Sequence, residues 1–466
     1  MAVAALTFLA FAGSLSNGFV NWDDRQALVY NEAWRGLGLY QLRWMLTTGF
    51  LGHYQPLSWL SLGLDHVVWG GTPFGIHLTS LLLHSAAAVV AYFIALRLLK
   101  ERAAAVAAAL LFSLHPLRVE SVVWAAQRRD PLSGLFFLAT ILCWLDGRRR
   151  GALVCAFLSL SAKITGVTLP ALLFLIDVYW FKRDYRKALL DKLPFAALSL
   201  VFLALNVWAQ IDAATMAPLA KVGWGVRLFN SAYSFVFYLG KTVWPAGHST
   251  LYYGGGGGDR LSVMIGAVVL ASLAYGLTKP KLRPALGAAC AFYAIALTPY
   301  LGLFKSGRQI AADRYTYVAC LPWALLAGAA AKGRARVAVA AVLLALAVAS
   351  ARQTAVWHDS VSLWRQALAN EPLGDTARPL LAQGLLERGR VTEAVLYLEE
   401  QVGIFPADEF SRKMLADVVG PKGVSDADHA KMHREMGLEF LDAGDKPKAD
   451  WHFRKAARYE ERAGRL

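Results

Sequence analysis

Ile76-His-Leu-Thr-Ser-Leu-Leu-Leu-His84-Ser-Ala-Ala-Ala-Val-Val-Ala-Tyr-Phe-Ile-Ala-Leu-Arg97 is a long apolar run that ends in the basic cluster Arg97, Lys100 and Arg102. About 20 such residues in helix span the roughly 30 Å hydrocarbon core of a bilayer. The whole chain has the same character. Of its 466 residues 56% are hydrophobic and 17% charged, with a mean hydropathy of +0.40, which is more apolar than an ordinary soluble domain. The 15 Trp and 17 Tyr suit the aromatic belts of a polytopic helical membrane protein. The four cysteines (Cys143, Cys155, Cys290, Cys320) lie in apolar segments without metal-ligand spacing, and no disulfide is expected. No small-x-small cleavage site ends the first apolar segment, so it reads as a retained helix.

Working outward from 76–97, further helices are expected at about 2–15, 103–114 and 131–146, using charge parity as the check. Residues 151–181 form one apolar run with basic clusters on both sides, interrupted by Lys163. Two short arms with Lys163-Ile-Thr-Gly166 at the far tip keep both clusters inside. Each arm is about 14 residues, roughly 21 Å of helix, so the lysine sits near membrane depth and calls for an anionic partner. Helices follow at about 193–210, 261–277, 284–303, 314–331 and 335–350, while 226–244 reads as interfacial. The run Gly254 to Gly258 is a flexible external loop, since it lacks the Lys-Ser/Thr of a phosphate loop. The sum is about eleven crossings, with the N-terminus inside and the C-terminus outside. The net charge of +15 then belongs mainly to inner loops, and nucleic acid is not needed to explain it.

From about Ala351 the composition changes to charged, Ala/Leu-rich helix pairs. One frame is Ala382, Gly389, Ala394, Leu398 and Pro406. A second is Gly437, Phe440, Gly444, Ala449, Phe453 and Ala456. The pattern resembles a tetratricopeptide repeat, with 409–429 irregular. Such repeats bind peptides or partner proteins, or serve as a structural cap.

Parity places an unusual set of polar residues on the outer face. Asn17-Gly-Phe-Val-Asn-Trp-Asp-Asp-Arg25 carries adjacent acids Asp23 and Asp24. The set also holds His53, Tyr54, His115, Arg118, Glu120, Trp124, Arg128, Arg129, Lys163, Arg308, Asp313, Arg314 and Tyr315. Outer loops are normally poor in arginine, so these cations make a natural anion site, with a lipid phosphate the obvious anion. Plainer readings exist for several residues. His84 suits a packed core histidine, and His77 lacks a third metal ligand. His115-Pro116 suits a helix stop, Glu120 a partner for Arg118, and Asp313-Arg314 a local ion pair.

Asn-Gly-Phe-Val-Asn-Trp-Asp-Asp at 17–24, Tyr-Gln-Pro-Leu-Ser at 54–58, Phe-Gly-Ile-His-Leu at 74–78 and Leu-Leu-His at 82–84 form an ordered series. His-Pro-Leu-Arg-Val-Glu-Ser-Val-Val-Trp at 115–124, Arg-Arg-Asp at 128–130, Ser-Ala-Lys at 161–163 and Ala-Asp-Arg-Tyr-Thr-Tyr at 312–317 continue it. With the repeat tail, this order resembles the transmembrane and tetratricopeptide-repeat O-mannosyltransferases and their bacterial relatives, which are GT-C glycosyltransferases. Arg128 departs from the pattern, where relatives often have Gly. The resemblance implies an all-α membrane bundle over 1–350 with glycosyltransferase activity. It also implies a TPR-like α-solenoid over 351–466 on the periplasmic side of a bacterial inner membrane.

The same resemblance implies a polyprenyl-phosphate sugar donor, a protein or glycan acceptor, and a site at the first external loop. It carries the family's acidic motif onto Asp23 and Asp24, with Asp23 read as the base and Asp24 as orienting acceptor or sugar. Lys163 and Arg314 are expected to hold the donor phosphate, with Arg308, Arg128 and Arg129 helping. His53, Tyr54, His115, Arg118, Glu120, Trp124, Asp313 and Tyr315 are expected around the sugar and acceptor. The sequence requires no cofactor, although two carboxylates leave room for a divalent metal. A membrane-anchored scaffold and a lipid-linked sugar transporter are the competing classes. The gathering of polar residues on one face favours the enzyme.

Overall fold

The computed structural model describes residues 1–213, 223–253, 257–302, 309–419, 425–442, 444 and 446–464. They divide into two units, Met1–Asp359 with Asn370–Pro372, and Ser360–Ala369 with Leu373–Leu466. Among the described residues the regular structure is helical, apart from one isolated antiparallel bridge between Tyr252 and Ala311.

The first unit begins with α1 (Ala2–Phe11), which tightens into a 3-10 turn ending at Ser16. After the polar stretch come α2 (Leu39–Thr47), α3 (Pro56–Trp69), α4 (Pro73–Leu99) and α5 (Arg102–Ser113). The short α6 (Val119–Val123) leads to α7 (Arg129–Leu145), α8 (Arg149–Ala162), α9 (Leu169–Tyr179) and α10 (Tyr185–Leu190). Then follow α11 (Leu193–Asp212), α12 (Trp224–Val243), α13 (Gly257–Leu277), α14 (Arg283–Leu297), α15 (Leu321–Ala330) and α16 (Ala335–Val356).

The sequence sets many of these boundaries. Proline opens α3, α4, α9, α11, α14 and α15 within their first two positions, where its missing N–H costs nothing. Thr72 caps α4 by accepting from the Gly75 N–H. Gly70 ends α3 at φ +68°, in the left-handed region that glycine enters without a Cβ penalty.

Among the described residues, four helical segments are long and apolar enough to cross a membrane: Pro73–Leu99, Tyr185–Asp212, Arg260–Leu277 and Ala335–Val356. They mark a multi-pass membrane protein. Arg102–Ser113 and Pro116–Val123 qualify together but are bent by 55° at the His115-Pro116 break. With the bent pair the described spans come to five, fewer than the about eleven crossings expected, which also counted shorter apolar pieces such as Ala2–Ser16, Ile164–Tyr179 and Leu321–Ala330.

Local differences from expectation have physical causes. The helix expected from 314 begins at Leu321, because Asp313–Thr316 forms a 3-10 turn whose side chains make long-range contacts. The helix expected to reach 303 stops at Leu297, where Pro299 enforces a second 3-10 turn. The segment expected to lie alone at the interface is α12, which packs closely on α13. A Cβ on Gly240 would come within 1.8 Å of the Ser262 carbonyl, and one on Gly266 within 1.9 Å of the Val236 carbonyl. Of the expected glycine loop, Gly254, Gly255 and Gly256 lie outside the described residues, and Gly257 and Gly258 begin α13.

In the second unit, α17 (Ser360–Asn370), α18 (Ala377–Leu386), α19 (Val391–Ile404), α20 (Glu409–Val419), α21 (Asp426–Asp442) and α22 (Lys446–Ala463) follow one another. Ala382, Ala394 and Leu398 are fully buried, and Gly437 lies against the Phe453 ring. The stretch expected to be irregular is helical over Glu409–Val419. Asp408 caps it, its carboxylate accepting from the Ser411 N–H at 3.2 Å and the Ser411 hydroxyl at 2.7 Å.

Candidate functional site

Two contacts place the polar stretch after α1. The Asn17 amide donates to the Thr354 carbonyl at 3.2 Å, and the Gly18 N–H to the His358 carbonyl at 3.0 Å. The chain then turns back on Asp24. One carboxylate oxygen accepts from the Val20 N–H at 3.0 Å, the other from the Ala126 N–H at 2.8 Å. Asp24 is therefore a buried clasp between this loop and the segment after α6. Burial pushes its pKa up to about 7 against the pull of the two N–H groups. The expected role of Asp24 in orienting sugar or acceptor finds no free oxygen here. A two-carboxylate metal site with Asp23 meets the same obstacle. Among the described residues no three His, Cys, Asp or Glu side chains are grouped to hold a metal.

Trp22 stacks on Trp124 with centroids 4.1 Å apart, and Trp124 stacks in turn on Trp357. This tryptophan column holds the loop on α6 and leaves Asp23 on the other side. Residues 23 and 24 are helical rather than extended, so their side chains diverge by about 100° around the turn. Asp23 is half-buried and lines a cavity of about 130 Å³ shared with His53, Gln55, Ser58, Trp59 and Arg129. Burial raises the Asp23 pKa, while the Arg129 and Arg314 charges pull it down; the net direction is up.

The charges of Arg129, Lys163 and Arg314 all depress the His53 pKa, which burial already holds well below its ordinary value. His53 is a neutral imidazole there. Lys163 terminates α8, where the backbone turns extended and the helix dipole favours a cation. Its ammonium pairs with Asp130, and the Tyr300 ring lies 5.3 Å away. Arg314 pairs with Glu120, and its guanidinium sits over the rings of Trp22, Trp124 and Tyr315. Arg129 differs. Its Nε donates to Gln127 at 3.0 Å, and among the described residues it forms no ion pair. Arg129 is thus the cation on the cavity wall with charge to spare.

Other expected residues serve elsewhere. Arg128 also touches the cavity, but its guanidinium is consumed by Asp65 at 2.6 Å, Ser61 at 2.9 Å, Ser80 at 3.0 Å and the Ile76 carbonyl. It is a buried structural ion pair rather than a free phosphate ligand. Arg118 donates to Thr316 and lies between Phe112 and Tyr317, so it holds the 313–316 turn and is not the partner of Glu120. Asp313 does not pair with Arg314; His248 at 2.5 Å and Tyr252 at 3.0 Å hold it. His115 donates to the Thr242 carbonyl at 3.0 Å and accepts from the Leu117 N–H, which makes it the cap at the helix break. Tyr54 points its hydroxyl to the Leu46 carbonyl at 3.0 Å. Tyr315 stacks on Tyr300 at 4.5 Å. His84 is a core histidine between Tyr317 and the Ser113 carbonyl. Arg308 lies outside the described residues.

Gln55, Ser58 and Trp59 line the cavity in addition to the residues expected from the sequence. Gln55 and Ser58 stand inside the Tyr-Gln-Pro-Leu-Ser series, the signal that points to them.

No family model matches the chain. Over 190 residues it is 32% identical to protein O-mannosyl-transferase Tmtc1 of Drosophila melanogaster, a match covering 38% of this chain and 22% of that relative. The chain is TMTC-like. Identity to TMTC2 of Mus musculus is 30% over 208 residues, covering 40% of this chain and 25% of that one. For TMTC2 of Homo sapiens it is 30% over 201 residues, covering 39% and 24%. The TMTC-like match thus spans a quarter or less of these relatives. Among solved structures, ArnT from Cupriavidus metallidurans bound to undecaprenyl phosphate aligns over 94% of this chain and 79% of its own. Its identity is 15% and its TM-score 0.40, too low to establish a common fold.

Proposed function

We propose that the chain is a GT-C-like membrane glycosyltransferase that moves one sugar from a polyprenyl-phosphate donor to an acceptor hydroxyl, as in protein O-mannosylation. The supporting observation is the juxtaposition of Asp23 and Arg129 on one cavity, with Lys163 and Arg314 close enough to influence the same groups. The sequence likeness to O-mannosyl-transferases supports the same reaction class.

In this reading Asp23 accepts the proton of the acceptor hydroxyl as its oxygen bonds to the anomeric carbon. The bond from that carbon to the phosphate oxygen breaks, and its electron pair leaves with the lipid phosphate. Arg129 supplies unpaired positive charge to the departing phosphate, with Lys163 and Arg314 contributing hydrogen bonds from their paired positions. Asp24 positions the loop and takes no proton. Inversion at the anomeric carbon follows from single displacement. The site faces the periplasm of a bacterial inner membrane, and the helical C-terminal unit engages a protein partner in the manner of TPR repeats.

The test is transfer of radiolabelled sugar from polyprenyl-phosphate mannose by purified wild type and Asp23→Asn. General-base catalysis contributes about 10²- to 10⁴-fold, so a loss of that size is expected with binding of polyprenyl phosphate retained. Equal transfer rates for the two proteins remove Asp23 as the base.

A further inference from the structure

The cavity beside Asp23 has a wall that the proposed proton transfer does not use. Gln55 and Trp59 line it, and they are only 9% and 1% exposed. Gln55 Oε1 and Trp59 Nε1 nevertheless have no hydrogen-bond partner among the described residues. One is an acceptor and the other a donor. They stand four residues apart, about one helical turn, at the start of α3. Buried polar atoms are overwhelmingly paired, so two orphans on residues that line one cavity call for an occupant.

The surroundings are well ordered around them. The Trp59 indole is held by edge contacts with Trp44 at 5.1 Å and Phe50 at 6.1 Å. The Ser58 hydroxyl donates to the Ala162 carbonyl at 2.9 Å, tethering the start of α3 beside Lys163. Arg128 is fully engaged with Asp65, Ser61 and Ser80. An orphan donor and an orphan acceptor therefore remain beside Ser58 and Arg128, whose own polar groups are partnered within the protein.

Size limits the occupant. A water needs about 10–15 Å³ measured in this way, so about 130 Å³ admits on the order of ten water-sized groups. One hexose ring with its hydroxyls, about a dozen non-hydrogen atoms, is of that scale, and a disaccharide exceeds it. A hydroxyl both donates and accepts, which matches the Trp59 and Gln55 pair.

We propose that Gln55 and Trp59 form the subsite that reads hydroxyls of a single hexosyl unit on the lipid-phosphate donor. The proposal rests on the donor reading above and adds where the sugar is selected. Asp23 and Arg129 lie on the same cavity, so a ring held by Gln55 and Trp59 has its reacting end beside the base and the spare cation.

The experiment measures binding of three probes to the full chain in nanodiscs: polyprenyl-phosphate mannose, polyprenyl-phosphate glucose and bare polyprenyl phosphate. Wild type is expected to bind at least one sugar-bearing probe more tightly than the bare lipid. Trp59→Phe keeps the ring and loses the donor; Gln55→Met keeps the length and loses the acceptor. Each is expected to weaken the preferred sugar-bearing probe by about 5- to 50-fold, the loss of a hydrogen bond to a buried group. Binding of the bare lipid should stay within about twofold, which also shows that the variants fold. Unchanged binding of every probe means that water alone fills the wall, and the subsite falls while the donor reading stands. Equal weakening of bare and sugar-bearing lipid makes the wall structural and likewise overturns the subsite. Failure of wild type to bind any of the three overturns the donor reading and the subsite with it.

Discussion

The Arg314 backbone N–H donates to one oxygen of Glu120 at 2.8 Å while its guanidinium pairs with the other. The two residues are 194 apart in sequence and both are buried. This two-point contact fixes the 313–316 turn on α6 and sets the guanidinium over the Trp22 and Trp124 rings. It also neutralises Arg314, which is why Arg129 stands out as the spare cation beside Asp23.

Glu120→Gln is therefore expected to destabilise the membrane unit. It leaves the Arg314 charge buried with an uncharged partner, and breaking a buried pair from one side costs about 3–5 kcal/mol. Thermal unfolding in detergent measures it. Arg314→Met alone should also destabilise, and the double variant should lose clearly less than the sum, because the lone charge is gone. Strict additivity would show that the pair does not couple.

Asp24→Asn tests the clasp. The carboxylate presents two acceptors to the Val20 and Ala126 N–H groups. An amide presents one acceptor and one donor, so one backbone N–H meets another N–H. A buried unsatisfied donor costs about 1–3 kcal/mol, and that loss is expected in the unfolding midpoint. Asp23→Asn, at a residue that lines the cavity, should leave the midpoint nearly unchanged while lowering transfer by about 10²- to 10⁴-fold. A reversed pattern would exchange the roles of the two acids.

The apolar helices were legible in the sequence because each announces itself locally, by run length, opening proline and flanking charge. Lys163 was legible for the same reason: a lysine inside an apolar run needs an anion, and Asp130 is that anion. What composition and spacing do not reveal is long-range pairing. Glu120 suited its near neighbour Arg118 as well as it suits Arg314, and Asp313 suited Arg314 as well as His248. Arg128 and Arg129 are indistinguishable as adjacent arginines. Only the fold turns one toward Asp65 and leaves the other on the cavity. The orphaned atoms of Gln55 and Trp59 are likewise a property of packing, invisible until neighbours are in place.

In the proposed mechanism the pH dependence of transfer follows from Asp23. A base works ionised, so kcat/KM climbs as pH rises through the Asp23 pKa. Burial raises that pKa, which places the climb above the roughly 3.9 of a free aspartate. The Arg129 charge acts in the opposite direction, favouring the ionised form. Arg129→Gln removes that pull, so the rising limb should move further toward high pH, in addition to any rise in KM from lost phosphate contact. A pH–kcat/KM profile of both proteins with the polyprenyl-phosphate donor reads the displacement. A limb that stays in place would separate Arg129 from the titration of Asp23.

Helix packing in the membrane unit gives the last test. Gly240 of α12 and Gly266 of α13 lie where the two backbones touch, and a Cβ at either would collide with a carbonyl of the opposite helix. Small residues permit such close approach in membranes, where dispersion contacts carry much of the association. Alanine cannot be accommodated by rotating a side chain, since the obstacle is backbone. Gly240→Ala and Gly266→Ala are each expected to force the helices apart and cost about 1–3 kcal/mol or more, as overpacking does. Gly403 in α19 has open space around it, so Gly403→Ala should be neutral or stabilise by roughly 0.5–1 kcal/mol through helix propensity. Thermal unfolding of the three variants checks the contrast. Equal midpoints for Gly240→Ala and Gly403→Ala would mean that α12 and α13 do not meet at backbone distance.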